Sequence, residues 1–337
     1  MFNKKGNISK LISIILFVFL LLFPMWSSLF HIELMGKFIT LALLAISLDL
    51  IWGYMGLLSL GHAVFFGIGG YIIALSYSFQ DGVPSFMTRF NITEIPVLLK
   101  PLQSMPLAFV LGLIIPGTIA MILGYFIFKG KVRDVFFAII TIALATGFEL
   151  LMTTLQSYTG GSNGLMGLPR LPILGESFPV NQFYYILVFI LMIVYIFASW
   201  FTKSHFGKVG QAIDQNEKRV TYFGYDPDNF KIFNFTISAL IAGLAGMLYA
   251  SMNGFFSPTE VGIDMSTMLL LWVAIGGRGT LMGAVIGAIS LSWISNTLSE
   301  SFPDLWQLAL GFIMVLVVLF LPKGVYGTFI KWVEQEE

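Results

Sequence analysis

The feature that most limits how this chain can fold is a series of ten apolar runs, near residues 11–30, 36–52, 62–79, 105–128, 135–157, 182–202, 232–252, 264–276, 280–298 and 305–321. A helix rising about 1.5 Å per residue needs about 20 apolar residues to cross a hydrocarbon core of about 30 Å, and most of these runs reach or approach that length. Charge avoids them. Only 11% of the 337 residues are Asp, Glu, Lys or Arg, against roughly 25% in soluble chains. A soluble globule with one or two cores cannot cover so much apolar surface, because it still needs a polar skin. The sequence therefore predicts an all-α polytopic membrane protein of about ten transmembrane helices, some short or glycine-broken, forming a single domain over 1–337. Lys4, Lys5 and Lys10 precede the first run as in a signal peptide, but the apolar stretch continues through Pro24 to Phe30 without a small-residue cleavage pattern, so an uncleaved span is expected. The same composition excludes disorder, and the zero net charge gives no basic surface for a nucleic acid.

Positive charge orients the spans. With a cytoplasmic N-terminus, Lys4, Lys5, Lys10, Lys129, Lys131, Arg133, Lys203, Lys208, Lys218, Arg219, Lys231, Arg278, Lys323 and Lys331 fall inside. Lys37, Arg89, Lys100 and Arg170 fall outside, which exhausts the 18 basic residues. Both termini are then cytoplasmic.

Two spans read as irregular. Segment 36–52 runs into GYMGLLSLGHAVFFGIGGY (Gly53 to Tyr71), and 264–276 ends in the break Ile275-Gly276-Gly277-Arg278-Gly279-Thr280. Glycines in a span serve close helix packing, or they let backbone leave the helix where protein or a water-filled cavity satisfies it. A pair of such breaks, one in each half, also points to a transport pathway. Asp49 and Glu149 are the acidic residues inside spans. Each reads either as part of an ion or proton relay or as a hydrogen-bonded carboxyl near a helix end. His62 reads first as a helix-terminal hydrogen-bonding group. The small-residue loop Thr159-Gly160-Gly161-Ser162-Asn163-Gly164 is either an entrance for a small polar solute or a flexible connection. The candidate pathway residues are Gly56, Ser59, Gly61, His62, Gly161, Asn163, Glu149, Gly276 and Gly277. There is no cysteine, and the three histidines (His31, His62, His205) have no metal-ligand spacing, so thiol and zinc chemistry are not expected.

The most informative polar stretch is 203–231. Val209, Ala212, Ile213, Val220 and Phe223 follow a helical period, with Asp214, Glu217, Lys218 and Arg219 elsewhere on the wheel, and Gly224 and Pro227 supply a stop. Such a helix either lies on the bilayer or docks into a groove of a cytoplasmic partner.

The strings GYMGLLSLGHAVFFGIGGY, TGGSNGL (Thr159 to Leu165) and GKVGQAIDQNEKRVTYFGYD (Gly207 to Asp226), in this order, resemble permeases of the branched-chain amino-acid and urea ABC importers, over about residues 40–328. LWVAIGGRGTLMGAVIGA (Leu271 to Ala288), FPDLWQLALGF and LFLPKGVYG (between Phe302 and Gly327) look closest to the urea-type, M-like permease. Ala284 departs from the proline common there. The resemblance implies that 203–231 is the ATPase-coupling loop, with Gly207, Ala212, Ile213, Asn216, Glu217 and Gly224 in the family pattern. Asp214 stands where relatives often carry a basic residue.

The resemblance further implies a second homologous permease subunit, two cytoplasmic ATPase subunits, an extracytoplasmic solute-binding protein, and a place in the bacterial inner membrane. The chain carries no G-x-x-x-x-G-K-[ST] phosphate loop, so ATP and its Mg ion belong to partner subunits, and this chain binds no cofactor and is not itself an enzyme. The expected cargo is urea or a short-chain amide, with branched-chain amino acids as the alternative. A proton-coupled secondary transporter using Asp49 and Glu149 is the rival from another class, ahead of a membrane enzyme or a passive urea channel.

Overall fold

Lipid offers a backbone no hydrogen-bond partners, so a crossing segment pairs its own amides as a helix, and the apolar runs do so here. The computed structural model describes residues 4–132, 134–170, 177–303, 305–320 and 324–335. Arg133 and Lys323 of the charge reading, and the two chain ends themselves, lie outside the described residues. In chain order the long helices are α1 (Lys4–Leu22), α2 (Leu29–Met55), α3 (Ala63–Ser78), α4 (Met105–Lys129), α5 (Asp134–Thr154), α6 (Val180–Lys203), α7 (His205–Tyr222), α8 (Pro227–Asn253), α9 (Ile263–Gly276), α10 (Leu281–Ser301), α11 (Trp306–Phe320) and α12 (Gly324–Gln335). Six of them, α2, α4, α5, α6, α8 and α10, are long and apolar enough to cross a membrane. Shorter apolar helices at Ser9–Met25, Ala63–Ser78, Ile263–Gly276 and Trp306–Val317 occupy the remaining expected spans.

The centre of the bundle is α3, buried along nearly all its length and packed chiefly by α4 and α8. Burial separates the spans sharply. The most apolar window of α2 is 89% buried, whereas that of α5 is 17% buried. A two-residue antiparallel ribbon, β1 (Leu165–Met166) with β2 (Phe255–Phe256), ties two connections together at one end of the bundle. At the other end Tyr326 of α12 donates to Ser9 Oγ of α1 at 3.1 Å, so the first and last described helices meet there.

One expectation needs correction. Segment 36–52 is not glycine-broken, because α2 runs unbroken for 27 residues. The break follows it. Gly56 adopts φ +78, a left-handed conformation that costs an L-residue steric strain, and its N–H caps the helix on the Trp52 carbonyl at 3.1 Å. Residues 56–62 then cross the bundle interior without regular structure before α3 begins. The second break stands as expected. It comprises Gly277 (φ +128) and Gly279 (φ +76), with Thr280 Oγ1 donating to the Gly277 carbonyl at 2.5 Å just before α10.

Candidate functional site

A buried polar seam follows the first break. His62 is fully buried at the start of α3, with its Nε2 3.0 Å from Ser47 Oγ of α2 and 3.1 Å from Ser238 Oγ of α8. Ser238 also donates to the Ser47 carbonyl. The Leu60 N–H donates to Thr141 Oγ1 of α5 at 3.0 Å, and the Ala63 N–H donates to Ser266 Oγ of α9 at 3.3 Å. Asn234 Nδ2, one turn before Ser238, donates to the Leu50 carbonyl at 3.0 Å. Thr141 and Ser266 thereby satisfy backbone N–H groups at the break and the start of α3, as irregular backbone at membrane depth requires, while Ser238 and Asn234 bind carbonyls of α2. His62 is therefore a hub joining α2, α3 and α8. Ser59, also buried, lies on the same segment. Gly61 lies where a Cβ would overlap the Thr141 carbonyl.

The second break meets the end of the first. Gly279 donates its N–H to Asp49 Oδ1 at 2.7 Å. Arg278 Nε donates to the Trp52 carbonyl at 3.1 Å, and Nη2 donates to Asp214 Oδ1 of α7 at 3.4 Å. Asp49 thus has a basic neighbour that its position in the sequence did not disclose. Gly276 and Gly277 are packing glycines: a Cβ at Gly276 would strike the Gly283 carbonyl, and Gly277 lies against Gly324.

Helix α7 begins at Ser204, whose Oγ accepts the Gly207 N–H at 3.4 Å. Asn216 breaks it with φ −164, and its Oδ1 accepts the Arg219 N–H at 3.0 Å, capping a second short helical piece. Val209, Ile213 and Val220 are buried against Phe230, and α7 packs on α2, α6 and α8. Val209, Ile213 and Val220 of the expected stripe are therefore used by the bundle, whereas Ala212 and Phe223 of the same stripe are exposed. Among the residues expected to couple to an ATPase, Gly207 and Ile213 are buried, Glu217 is half-buried, and Ala212, Asn216 and Gly224 are exposed. Ala212, Gln215, Asn216, Arg219, Tyr222 and Phe223 make up the open face, with Tyr222 88% exposed.

Ion pairs fasten this end. Lys231 Nζ lies 2.9 Å from Glu217 Oε2, and Lys131 lies 2.7 Å from Asp228. A cavity of about 370 Å³ opens between Phe128, Lys131, Glu217 and Lys231. Lys129 lies 2.6 Å from Asp226, and its hydrogen bond holds that carboxyl below the usual carboxylate range. The Lys129–Asp226 pair is complete above the ordinary carboxylate pKa of about 3.9 and is lost as pH falls through the lower folded value. Lys129→Ala is expected to lower thermal stability at pH 7 by at most ~1 kcal/mol, since both partners are partly solvated. The deficit should close when melting is followed down to about pH 2.

At the opposite end, Gly160, Gly161 and Gly164 all have positive φ, and Thr159 Oγ1 donates to the Leu155 carbonyl at 3.0 Å while accepting the Gly161 N–H at 3.2 Å. The 159–165 loop is thus ordered and hydrogen-bonded, with Gly161 buried and Asn163 exposed. Glu149 of α5 lies against Gly262, at the start of α9. Asp49 meets Gly279, past the other end of α9, so the two carboxylates are separated by roughly 20 Å, the length of a 14-residue helix. They do not form one proton relay. Among the described residues no group of His, Cys, Asp or Glu is placed to hold a metal ion.

Sequence reasoning found the breaks and α7 but missed Arg278–Asp214, Lys231 and the Ser47–Ser238 seam. One signal was present. Asp214 stood out as an acidic residue where relatives often carry a basic one, and its charge partner is Arg278.

Comparison with known proteins agrees with this architecture. A family model described as the branched-chain amino acid transport system / permease component matches residues 30–319. The high-affinity branched-chain amino acid transport system permease protein LivM of Salmonella typhimurium is 26% identical over 94% of this chain and 74% of its own length. The probable branched-chain amino acid transport permease protein LivM of Methanocaldococcus jannaschii is 23% identical over 84% and 89%. The ribose import permease protein RbsC of Haemophilus influenzae is 24% identical over 70% and 71%. No solved structure matches significantly.

Proposed function

The chain belongs to the permease family of branched-chain amino acid transport systems, and on that premise we propose that it is the transmembrane subunit of an importer for branched-chain or similar neutral amino acids, with its solute path along the open face of α5. The observation that carries this reading is the contrast in burial between α5 and the other long spans. The uncovered face of α5 runs through Phe136, Ile140, Ala143, Thr146, Gly147, Leu150 and Thr154, which share one side at helical spacing. The small and hydroxyl-bearing residues among them, Ala143, Thr146, Gly147 and Thr154, let a second permease subunit approach closely and line a shared path. The aliphatic residues of this face suit an aliphatic side chain.

Ten spans with both termini in the cytoplasm agree with the basic residues gathered at the α7 end. There α7 presents its open face to an ATPase subunit, and a solute-binding protein delivers cargo at the ribbon end. The preferred membrane is the bacterial inner membrane. ATP-driven change needs only that the partners bind the two permease conformations unequally.

The urea or short-amide cargo finds no support. Arg278 and Thr280, which carry that likeness, sit between α2, α7 and α10 and line no open face of α5. The amino-acid relatives favour the alternative.

The test is uptake into vesicles containing the complete complex. Labelled leucine should enter and urea should not. Gly147→Trp should block uptake while leaving the melting temperature of the purified chain within a degree or two of wild type, because nothing lies within 4 Å of a Cβ placed there. Unimpaired uptake in this variant would remove α5 from the path, and uptake of urea alone would restore the urea reading.

A further inference from the structure

Arg278, by itself or through its neighbour, links α7, the end of α2 and the turn into α10. Its Nη2 donates to Asp214 on α7, and its Nε donates to the Trp52 carbonyl in the last turn of α2. The guanidinium carbon lies 5.4 Å from the centre of the Trp52 ring. The next residue, Gly279, donates to Asp49 one turn earlier on α2, and Thr280 closes the turn into α10. Lysine would not replace arginine here. The rigid fork serves two acceptors in different directions while its charge sits over the indole, and an ammonium has no such fork. The cation also lies at the C-terminal end of α2, where exposed carbonyls favour positive charge. Asp214 sits directly over the left-handed Gly56, where a Cβ would collide with its carboxylate. The end of α2, α7 and the α9–α10 turn therefore converge on one side chain.

We propose that Arg278 is the positioning residue that carries displacement of α7 into the bundle, by way of Asp214 on one side and the Trp52 and Asp49 contacts on the other. The inference rests on the reading of α7 as the ATPase-docking segment. The Asp214 contact is long and half-solvated, with side chains 44% and 39% exposed. Its loss should not unfold the chain. What it controls is how strongly the states of two distant sites depend on each other.

The experiment uses the assembled complex in vesicles, with leucine-loaded binding protein as the probe. Arg278→Ala is expected to lower the ratio of stimulated to unstimulated ATP hydrolysis about 10-fold, within the usual range of coupling between sites. Asp214→Ala should lower it less, and the double variant should match Arg278→Ala, because both act through one contact. Arg278→Lys should remain uncoupled, and the ATPases should stay bound on size exclusion in every variant. A wild-type ratio in Arg278→Ala, additive losses in the double variant, or release of the ATPases would each overturn the proposal. Should Arg278→Ala fail to insert, the exposed Asp214→Ala and Asp214→Asn variants carry the same test. The underlying reading fails separately: Ala212→Arg, on the open face of α7, would then leave ATPase binding unchanged.

Discussion

Glu217→Lys is expected to abolish solute-stimulated ATP hydrolysis in the assembled transporter and to lower the melting temperature of the permease. Glu217 faces Lys231, whose side chain is 8% exposed and whose ammonium lies 5.8 Å from the Phe128 ring centre. Lys231 is anchored in the first turns of α8, at the wall of the cavity it shares with Glu217. Removing one partner of a buried pair commonly costs about 3–5 kcal/mol, because the remaining charge is left uncompensated. Glu217 is 43% exposed, so water recovers part of this and the lower end, about 3 kcal/mol, is the better expectation. An incoming lysine can turn outward, but only if the short helical piece after Asn216 swings away from α8. That piece bears Arg219, Tyr222 and Phe223, the end of the open face of α7. The reversed pair, Glu217→Lys with Lys231→Glu, should recover melting temperature and stimulated hydrolysis together. Normal stimulation in the single variant would contradict the role given to this contact.

Gly246→Val should be the most damaging single change in the bundle interior. A Cβ at Gly246 of α8 would overlap the Phe66 carbonyl of α3, and one at Gly69 of α3 would overlap the Gly243 carbonyl. These are backbone-to-backbone contacts, so no rotamer change makes room, and α3 and α8 must separate along the line where they touch most closely. Overpacking a well-filled core costs about 1–3 kcal/mol, and a clash with backbone belongs at or above the top of that range. The loss spreads, because α3 is buried on all sides and carries His62 at its start. Thermal unfolding of the purified chain in detergent should show a large drop for Gly246→Val. Gly147→Trp, at the open α5 position, should show almost none. Equal shifts in the two would mean that the close approach of α3 and α8 does not hold the bundle together.

Much of this was legible in the chain. Beyond the first two, the apolar runs forecast the helices to within about five residues, since a hydrocarbon solvent leaves the backbone no other choice; α1 ends at Leu22 and α2 already begins at Leu29, inside the run expected for the first span. The amphipathic period and the Gly224–Pro227 stop outlined α7. The breaks at 56–62 and 275–280 were visible as glycine-rich departures from ordinary spans, although the glycines of 63–71 sit in a regular helix. Other features were not, because they depend on residues far apart in sequence. The pattern GYMG does not say whether Gly53 or Gly56 ends α2; the αL cap at Gly56, set over Asp214, decides it. Asp49 looked like a lone intramembrane carboxylate until a turn more than 200 residues later supplied its donor, Gly279. In composition the small-residue loop 159–164 reads equally as a solute entrance or a flexible connection; the Thr159 hydroxyl and the Leu165–Phe256 pairing order it.

By itself the sequence determined the solvent, the approximate spans and the side on which basic charge gathers, since each follows from local composition and the cost of placing charge in hydrocarbon. Tertiary structure alone decided which helix stays uncovered, which breaks meet, and which charges pair across elements. Those outcomes depend on how helices of nearly equal hydropathy pack against one another. Lipid is as apolar as their side chains, so the choice falls to close backbone approach and to a few buried hydrogen bonds.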